Sequence, residues 1–266
     1  MKKILSLVLA VVLAFSTMLI LSGCATKTDL EKIKSDKVLN VGMTIYEPMD
    51  YYDTDGKTII GFDAELAEAF AKTLGVKVNF IEIKWANKVI ELNSKSIDLI
   101  WNGMTASDEL GTQIDFSTAY ATNYQCVVVK NDIDSYVNAD SLKTKKVAVE
   151  QSSAGDTVIT DLGITPTRLK AQLDALTEVK SGTSDCAVID YTMAYNVVGK
   201  GDFADLKIVD AAKISFENEV FAVGARKGSD ITASLNAFLK AYYESGEMAK
   251  LAEKYGVAIN DAAFGK

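Results

Sequence analysis

Apolar residues recur along the chain with two different periods, one typical of helices and one typical of strands. The helical period is clearest in a segment that Asp63 could cap at its start and that Gly75 would end. Its apolar residues are spaced three or four apart: Phe62, Leu66, Phe70 and Leu74. The following segment, VKVNFIEI at 76–83, alternates with the period of two that predicts a strand.

The two patterns alternate from residue 38 to the end of the chain. Strands are predicted at 38–43, 76–83, 98–101, 124–130, 145–150, 186–190, 206–210 and 220–225. Helices are predicted at 63–74, at 87–94, from Ser153, across Tyr191 and Tyr195, and twice after residue 230, with Gly246 between the last two and Gly256 after them. Alternating strands and helices predict an α/β fold with mainly parallel sheets, and 266 residues are enough for two lobes.

The N-terminus has the three parts of an export signal: the basic start MKK, an apolar run from Ile4 to Leu21, and small residues in LSGC. The cysteine after Leu-Ser-Gly resembles the lipobox of bacterial lipoproteins, in which Cys24 is lipidated and becomes the mature N-terminus. Residues 1–23 are therefore predicted to be a lipoprotein signal peptide, and the polar residues 24–37 a tether. An uncleaved membrane anchor is the alternative, since the run approaches spanning length. Both place the remaining chain on the outer face of the cytoplasmic membrane.

The composition excludes several classes of function. With a net charge of −8 and no basic cluster, the chain is not expected to bind nucleic acid. Histidine is absent, which excludes Ser-His-Asp and Cys-His machinery and histidine-bearing zinc sites, so neither metal nor cofactor is predicted. Cys126 and Cys186 lie in apolar runs, and two buried free thiols are expected, although an exported location permits a disulfide.

Four segments, in order, resemble the polar-amino-acid-binding proteins of bacterial ABC uptake transporters: YEPMDYYDTDGKTIIGFDAELAEAFAKTLGVKV at 46–78, DLIWNGMT at 98–105, IDFSTAY at 114–120 and SDCAVIDYTMAY at 184–195. The resemblance runs from about Val38 to Tyr255. It implies a two-lobed periplasmic-binding-protein-like fold with two crossing hinge strands, near 119–127 and 214–223. Lobe 1 is then expected to comprise 38–121 and 218–266, and lobe 2 to comprise 122–217.

The resemblance also implies which first-lobe residues face a ligand. Tyr46 and Trp85 match aromatic residues that cover the ligand from two sides, although a ring at either position could belong to the core instead. Their faces suit a cationic or apolar side chain. Asn102, Gly103 and Thr105 match a loop after a strand, where Gly103 leaves its backbone open and Thr105 offers a hydroxyl.

In the second lobe, the resemblance assigns the start of a helix and the end of a strand to the site. Ser152, Ser153 and Ala154 match a helix start whose free N–H groups favour an anion, although Ser153 could simply cap the helix. Asp190 matches the acid that takes the ligand's ammonium group. An acid that ends an apolar strand needs a cationic partner or a structural hydrogen bond, and both readings stay open.

One position departs from the family's pattern. In GMTASDEL at 103–110, Leu110 stands where the family has an arginine that grips the ligand's α-carboxylate. The two arginines of the chain, Arg168 and Arg226, are not obvious replacements. Loss of one partner from a desolvated charge pair costs roughly 2–5 kcal/mol, which would weaken an amino-acid site severely.

Three explanations of Leu110 remain open. The ligand could lack a carboxylate and be an amine held by Asp190 and the aromatic residues. Lys88, just after Trp85, could replace the arginine, unless it is a solvated surface lysine. Alternatively, the site is weakened or repurposed.

The favoured function is therefore the substrate-binding component of an ABC uptake transporter, a monomer that captures an amino acid or related amine by hinge closure and delivers it to a permease. No catalytic residue is predicted. The alternatives are a cyclohexadienyl-dehydratase-like enzyme outside the cytoplasm and a ligand-sensing partner protein.

Overall fold

A computed structural model describes residues 27–266, which form two α/β lobes joined by two crossing strands. The predicted signal peptide and Cys24 lie outside the described residues. The helices of the described part are α1 Asp29–Asp36, α2 Phe62–Leu74, α3 Lys88–Asn93, α4 Asp108–Gly111, α5 Ala154–Asp161, α6 Gln172–Ser181, α7 Tyr191–Val197, α8 Ile231–Glu244 and α9 Glu247–Tyr255. The strands are β1 Val38–Met43, β2 Tyr51–Tyr52, β3 Ile59–Ile60, β4 Lys77–Glu82, β5 Leu99–Ile100, β6 Ile114–Phe116, β7 Ala121–Lys130, β8 Val147–Glu150, β9 Thr167–Leu169, β10 Cys186–Asp190, β11 Leu206–Ile208, β12 Asn218–Phe221 and β13 Gly224–Arg226.

Each lobe is built on one mixed sheet. The first sheet has the order β4-β1-β5-β13-β6, and the second β11-β7-β10-β8-β9. β1 pairs in parallel with β4 and β5, and β8 pairs in parallel with β9 and β10, but β13 and β7 run antiparallel to their neighbours. The prediction of mainly parallel sheets is therefore wrong, because β7 and β13, the strands by which the chain enters each sheet from the other lobe, run opposite to the other strands of their sheets.

Two antiparallel strands cross between the lobes, as the resemblance implied. β7 pairs with β12 in a register that sets Tyr124 opposite Asn218 and Ala121 opposite Phe221. The predicted single strand at 220–225 is in fact two strands, because the chain pairs with β7 up to Phe221 and joins the first sheet only at Gly224. The exact lobe boundaries at 121/122 and 217/218 stay predictions.

The helix that follows Gly61 begins differently from the prediction. Asp63 does not cap α2: the N-cap is Gly61, and the Asp63 side chain is fully buried. The Asp63 Oδ2 atom accepts hydrogen bonds from the Gly103 backbone N–H (2.6 Å) and the Tyr120 hydroxyl (2.8 Å). Asp63, in the first turn of α2, therefore holds the loop that contains Gly103 in place. Gly75 ends the helix in the left-handed conformation, as predicted.

Most of the predicted tether is a helix docked on lobe 1. Residues 29–36 form α1, which begins with a reciprocal capping box between Thr28 and Glu31 and buries Ile33 against the core. Asp29 accepts a hydrogen bond from the Arg226 guanidinium at 2.9 Å, with both side chains nearly buried. These residues form a docked helix because Ile33 and Leu30 pack against the core and Asp29 pairs with Arg226, and the role of 24–37 as a tether stays a prediction.

The largest hydrophobic cluster of the described part includes residues of both sheets and of the crossing strands, and two smaller clusters are separate from it. Its largest fully buried side chains include Trp101, Tyr120, Phe62, Phe70 and Phe221. Cys126 and Cys186 are both buried and free, as expected from the sequence. Among the helices of residues 27–266, none has the length and apolar character needed to cross a bilayer.

Candidate functional site

The two lobes enclose a cavity into which the carboxyl ends of the parallel strands open. The segments after β1, β4 and β5 line it from lobe 1, and the ends of β8 and β10 line it from lobe 2. The centre of a water-sized molecule can occupy about 30 Å³ of it, within about 370 Å³ of atom-free space that includes open solvent. All ten residues predicted to face a ligand line this one cavity: Tyr46, Trp85, Lys88, Asn102, Gly103, Thr105, Ser152, Ser153, Ala154 and Asp190.

Asp190 is held in place by three side-chain amides. Its Oδ1 atom accepts from Asn123 Nδ2 at 2.6 Å and from Gln125 Nε2 at 2.7 Å, and its Oδ2 atom accepts from Gln172 Nε2. Burial, with a smaller contribution from Glu219, raises the pKa of Asp190 to about 7, against the opposing effect of the amide donors. The carboxylate is thus pre-positioned by neutral donors, and in the described part of the chain no cation neutralises it directly.

Glu150 is a second acid in the cavity, and the sequence interpretation missed it. It ends β8, its side chain is only 3% exposed, and its Oε1 atom has no hydrogen-bond partner. Burial first, and then the charge of Asp190, raise the pKa of Glu150 to about 8. An acid at the end of the apolar run KKVAVE was the available signal, since the same pattern marks Asp190.

Lys88 is buried in the cavity wall and is not a surface lysine. Its ammonium donates to the Ser152 carbonyl across the cleft at 3.0 Å and to the Trp85 carbonyl at 3.4 Å. It also lies over the Trp85 ring, 4.8 Å from the centroid. Burial lowers the pKa of Lys88 to about 8, although Glu150 opposes the shift. Much of the hydrogen-bonding capacity of Lys88 is therefore already used within the protein.

The two aromatic residues are buried but face the cavity. Tyr46 is packed edge-on against Phe221, with ring centroids 6.5 Å apart, and its hydroxyl has no hydrogen-bond partner. Gly103, with a positive φ of 54°, lies against the same ring, where a Cβ atom would come within 2.8 Å of Tyr46 Cε1. The lack of a side chain at Gly103 therefore leaves room for the tyrosine ring.

Asn102 lines the cavity, but its side chain is engaged within lobe 1. Its Oδ1 atom accepts from the Thr44 backbone N–H and hydroxyl, and its Nδ2 atom donates to Asp50 Oδ2 at 2.8 Å. Asp50 and Asp63 are fully buried neighbours beneath the loop, and burial raises the pKa of both, that of Asp63 to about 7. Asn102 is thus a positioning residue for the loop in this geometry.

The start of α5 is already complemented by a protein carboxylate. The Ser153 hydroxyl caps the helix by accepting from the Asp156 N–H at 3.2 Å, and the Ser152 N–H donates to Asp156 Oδ2 at 3.0 Å. Asp156 in turn pairs with Arg168. Ser152, Ser153 and Ala154 therefore line the cavity, but part of the anion-attracting capacity of this helix start is taken up by Asp156.

Leu110 and Thr105 complete the wall. Leu110 lines the cavity from α4, so an apolar side chain lies where the resemblance implies an arginine. Thr105 Oγ1 donates to Glu219 Oε2 on the crossing strand β12 at 2.9 Å. The Arg226 guanidinium pairs with Asp29 and Asp98 and donates to two backbone carbonyls. Neither Arg226 nor Arg168 lines the cavity.

Comparisons with known proteins agree with this architecture. The sequence profile of the bacterial extracellular solute-binding proteins, family 3, matches residues 39–258. The chain is 29% identical over 259 residues to the arginine-binding extracellular protein ArtP of Bacillus subtilis, covering 96% of this chain and 98% of ArtP.

Two solved structures show the same fold. Holo ArgBP from T. maritima superposes with a TM-score of 0.75 at 30% identity, covering 84% of this chain and 98% of that one. A substrate-binding protein of an ABC uptake transporter from Streptococcus pneumoniae, with bound histidine, gives a TM-score of 0.78 at 26% identity, covering 87% and 97%. The fold, the interlobe cavity and the extent of the profile match lead to one conclusion: the chain belongs to the bacterial extracellular solute-binding proteins, family 3.

Proposed function

We propose that this protein is the substrate-binding component of an ABC uptake transporter and that it captures a small polar solute, an amino acid or a related amine, between its lobes. One observation carries the proposal: the buried carboxylates of Asp190 and Glu150 and the rings of Tyr46 and Trp85 line the same interlobe cavity. A cavity that combines apolar rings with a few fixed polar groups is typical of a small-molecule site. The relatives described above bind arginine or histidine.

Asp190 receives the ammonium group of the solute. Its three amide donors fix the orientation of the carboxylate, so little reorganisation is needed when a cation arrives. The rings of Tyr46 and Trp85 cover the rest of the ligand, and Gly103 borders it, although its backbone N–H is already donated to Asp63. Thr105 and the segment 152–154 supply the remaining polar contacts.

Closure of the lobes completes the site. The Lys88 ammonium, in lobe 1, donates to the Ser152 carbonyl of lobe 2. This contact can form only when the cleft is shut. The paired strands β7 and β12 provide the hinge. A permease would then recognise the closed, loaded protein and receive the solute.

We place the protein on the outer face of the cytoplasmic membrane, as a monomer held by a lipid on Cys24 after removal of residues 1–23. A diacylated cysteine brings two acyl chains, which are enough for stable anchoring. Because α1 is docked on lobe 1, the short segment before Thr28 connects the lipid to the fold in this proposal. Mass spectrometry of the mature N-terminus tests the lipidation.

A panel of ligands tests the proposed function. We expect at least one L-amino acid or its decarboxylated amine to raise the melting temperature of the purified protein, since a ligand at 100 times its dissociation constant adds about 2.7 kcal/mol of stability. The shift should vanish in Asp190→Asn. A panel without any shift would contradict the proposal. Turnover of a bound compound would favour the enzyme alternative instead, and we propose no catalytic role.

A further inference from the structure

We infer that the cavity selects ligands with two cationic nitrogen groups and no required carboxylate, that is, small diamines, and that Glu150 receives the second cationic group. The inference rests on the proposed function, because it concerns the ligand of the same cavity. It makes Glu150 a specificity-determining residue, alongside the ammonium site at Asp190.

Glu150 has hydrogen-bonding capacity that the protein does not use. Its side chain is 97% shielded from solvent, its Oε1 atom has no partner, and it faces the cavity. A buried carboxylate without a partner is unfavourable unless a ligand supplies one. Asp190, by contrast, is already supported by Asn123, Gln125 and Gln172. A ligand that reached Asp190 alone would leave Glu150 unsatisfied.

The charge of the site also favours a ligand with two positive charges. The charged side chains that line the cavity are Lys88, Glu150 and Asp190, and Glu219 lies beside them, sharing the Asn123 and Gln125 amides with Asp190. When ionised, these four groups carry a net charge of −2. A diamine matches that charge, a cationic amino acid leaves one negative charge unmatched, and a neutral amino acid leaves two.

Among the described residues, the cavity wall has no strong partner for a ligand carboxylate. Leu110 gives the cavity an apolar wall, and both arginines are engaged outside it. The Lys88 ammonium already donates to two carbonyls, and Asp156 occupies the start of α5. A ligand carboxylate would therefore have to displace existing bonds, whereas an amine without one would not.

An organic cation fits these carboxylates better than a metal ion. Over residues 27–266, no group of three or more His, Cys, Asp or Glu side chains is close enough to hold a metal. Glu150 and Asp190 instead end two adjacent parallel strands, which sets their Cα atoms about 6 Å apart. The rings of Tyr46 and Trp85 suit the hydrocarbon between two cationic groups.

Isothermal titration calorimetry with three matched probes tests the inference: pentane-1,5-diamine, L-lysine, which is the same diamine with a carboxylate, and pentan-1-amine, which lacks the second nitrogen. For the wild-type protein we expect the diamine to bind at least about tenfold tighter than the monoamine and no weaker than L-lysine. Glu150→Gln should weaken diamine binding at least about tenfold and leave the monoamine nearly unchanged. Glu253→Gln, which removes an exposed acid on α9 that does not line the cavity, is the matched control and should change neither affinity.

Each contrary outcome has a defined meaning. If L-lysine binds at least tenfold tighter than the diamine, or if Glu150→Gln leaves the ratio of diamine to monoamine affinity unchanged, the inference is wrong and the proposed function stands. If L-amino acids bind and no amine does, the inference is again wrong and the proposed function again stands. If neither the three probes nor any L-amino acid binds, the proposed function fails and the inference falls with it. Melting of Glu150→Gln without ligand confirms that the variant is folded.

Discussion

At the scale of single residues, two acids that end neighbouring strands have different surroundings. Asp190 accepts three amide hydrogen bonds, whereas one oxygen of Glu150 accepts none. Both follow apolar runs, so the sequence pattern marks both as costly to bury, but only Asp190 matched a family motif. The amide donors come from β7 and α6, far away in sequence, and no local pattern indicates them.

Asp190→Asn tests the assignment of the ammonium site. The substitution keeps the shape of the side chain and removes the charge that pairs with the ligand, so we expect the affinity for the best ligand of the panel to fall by about 2–5 kcal/mol, measured by calorimetry. Asp205→Asn, an exposed acid elsewhere on lobe 2, is the control and should bind normally. Unchanged affinity in Asp190→Asn would show that the ammonium group is held elsewhere.

The buried acids also predict how stability depends on pH. The pKa values of Asp63, Asp190 and Glu150 are raised to about 7, 7 and 8, so between pH 5 and pH 8 the folded state binds more protons than the unfolded state. The free energy of unfolding of the ligand-free protein should therefore fall as the pH rises through this window, by at least about 1–2 kcal/mol. Urea denaturation at pH 5, 6.5 and 8 measures it.

The sequence has no histidine, so no imidazole titrates in the same window, and the opposing group is Lys88, whose lowered pKa of about 8 reduces the fall near pH 8. Asp190→Asn and Glu150→Gln should each make the dependence on pH shallower. A free energy of unfolding that rises from pH 5 to pH 8 would show that these carboxyl groups are ionised in the folded protein well below pH 7.

At the scale of elements, α1 shows both what the sequence contained and what it could not reveal. The pattern Thr28-x-x-Glu31 is a capping box and could have indicated a helix start within the supposed tether. Docking of the helix was not predictable, because it depends on Arg226, 197 residues away from Asp29. The division of the predicted strand at 220–225 has a similar cause, since its two parts pair with different strands.

Arg226→Gln tests the anchoring of α1. The guanidinium joins Asp29 to Asp98 and to the carbonyls of Leu92 and Ile97, all in nearly buried positions. Its loss leaves buried charges unpaired, so we expect the free energy of unfolding to fall by about 3–5 kcal/mol in urea denaturation.

The exposed pair of Lys240 and Glu244 supplies the control for this experiment. Lys240→Gln breaks a solvent-exposed ion pair on α8 and should leave the free energy of unfolding without measurable change. Equal effects of the two substitutions would contradict a special role for Arg226.

At the scale of the whole molecule, the order of strands and helices was largely predictable, but the contacts across the cleft were not. Local periodicity located most elements within a few residues, and the family resemblance supplied the two lobes and their crossings. Lys88 shows this most clearly. From the sequence it could be either a surface lysine or a residue of the site, and it is the approach of lobe 2 that buries it against Ser152. Contacts of this kind depend on how far the lobes close.

The central claim is that the cavity between the lobes is the ligand site, and a crystal structure with the ligand that gives the largest melting shift tests it most directly. We predict electron density between the lobes, with the ligand's ammonium nitrogen about 3 Å from an Asp190 carboxylate oxygen and its carbon chain against Tyr46 and Trp85. A ligand bound on the outer surface, with Asp190 contacting only Asn123, Gln125 and Gln172, would contradict the account.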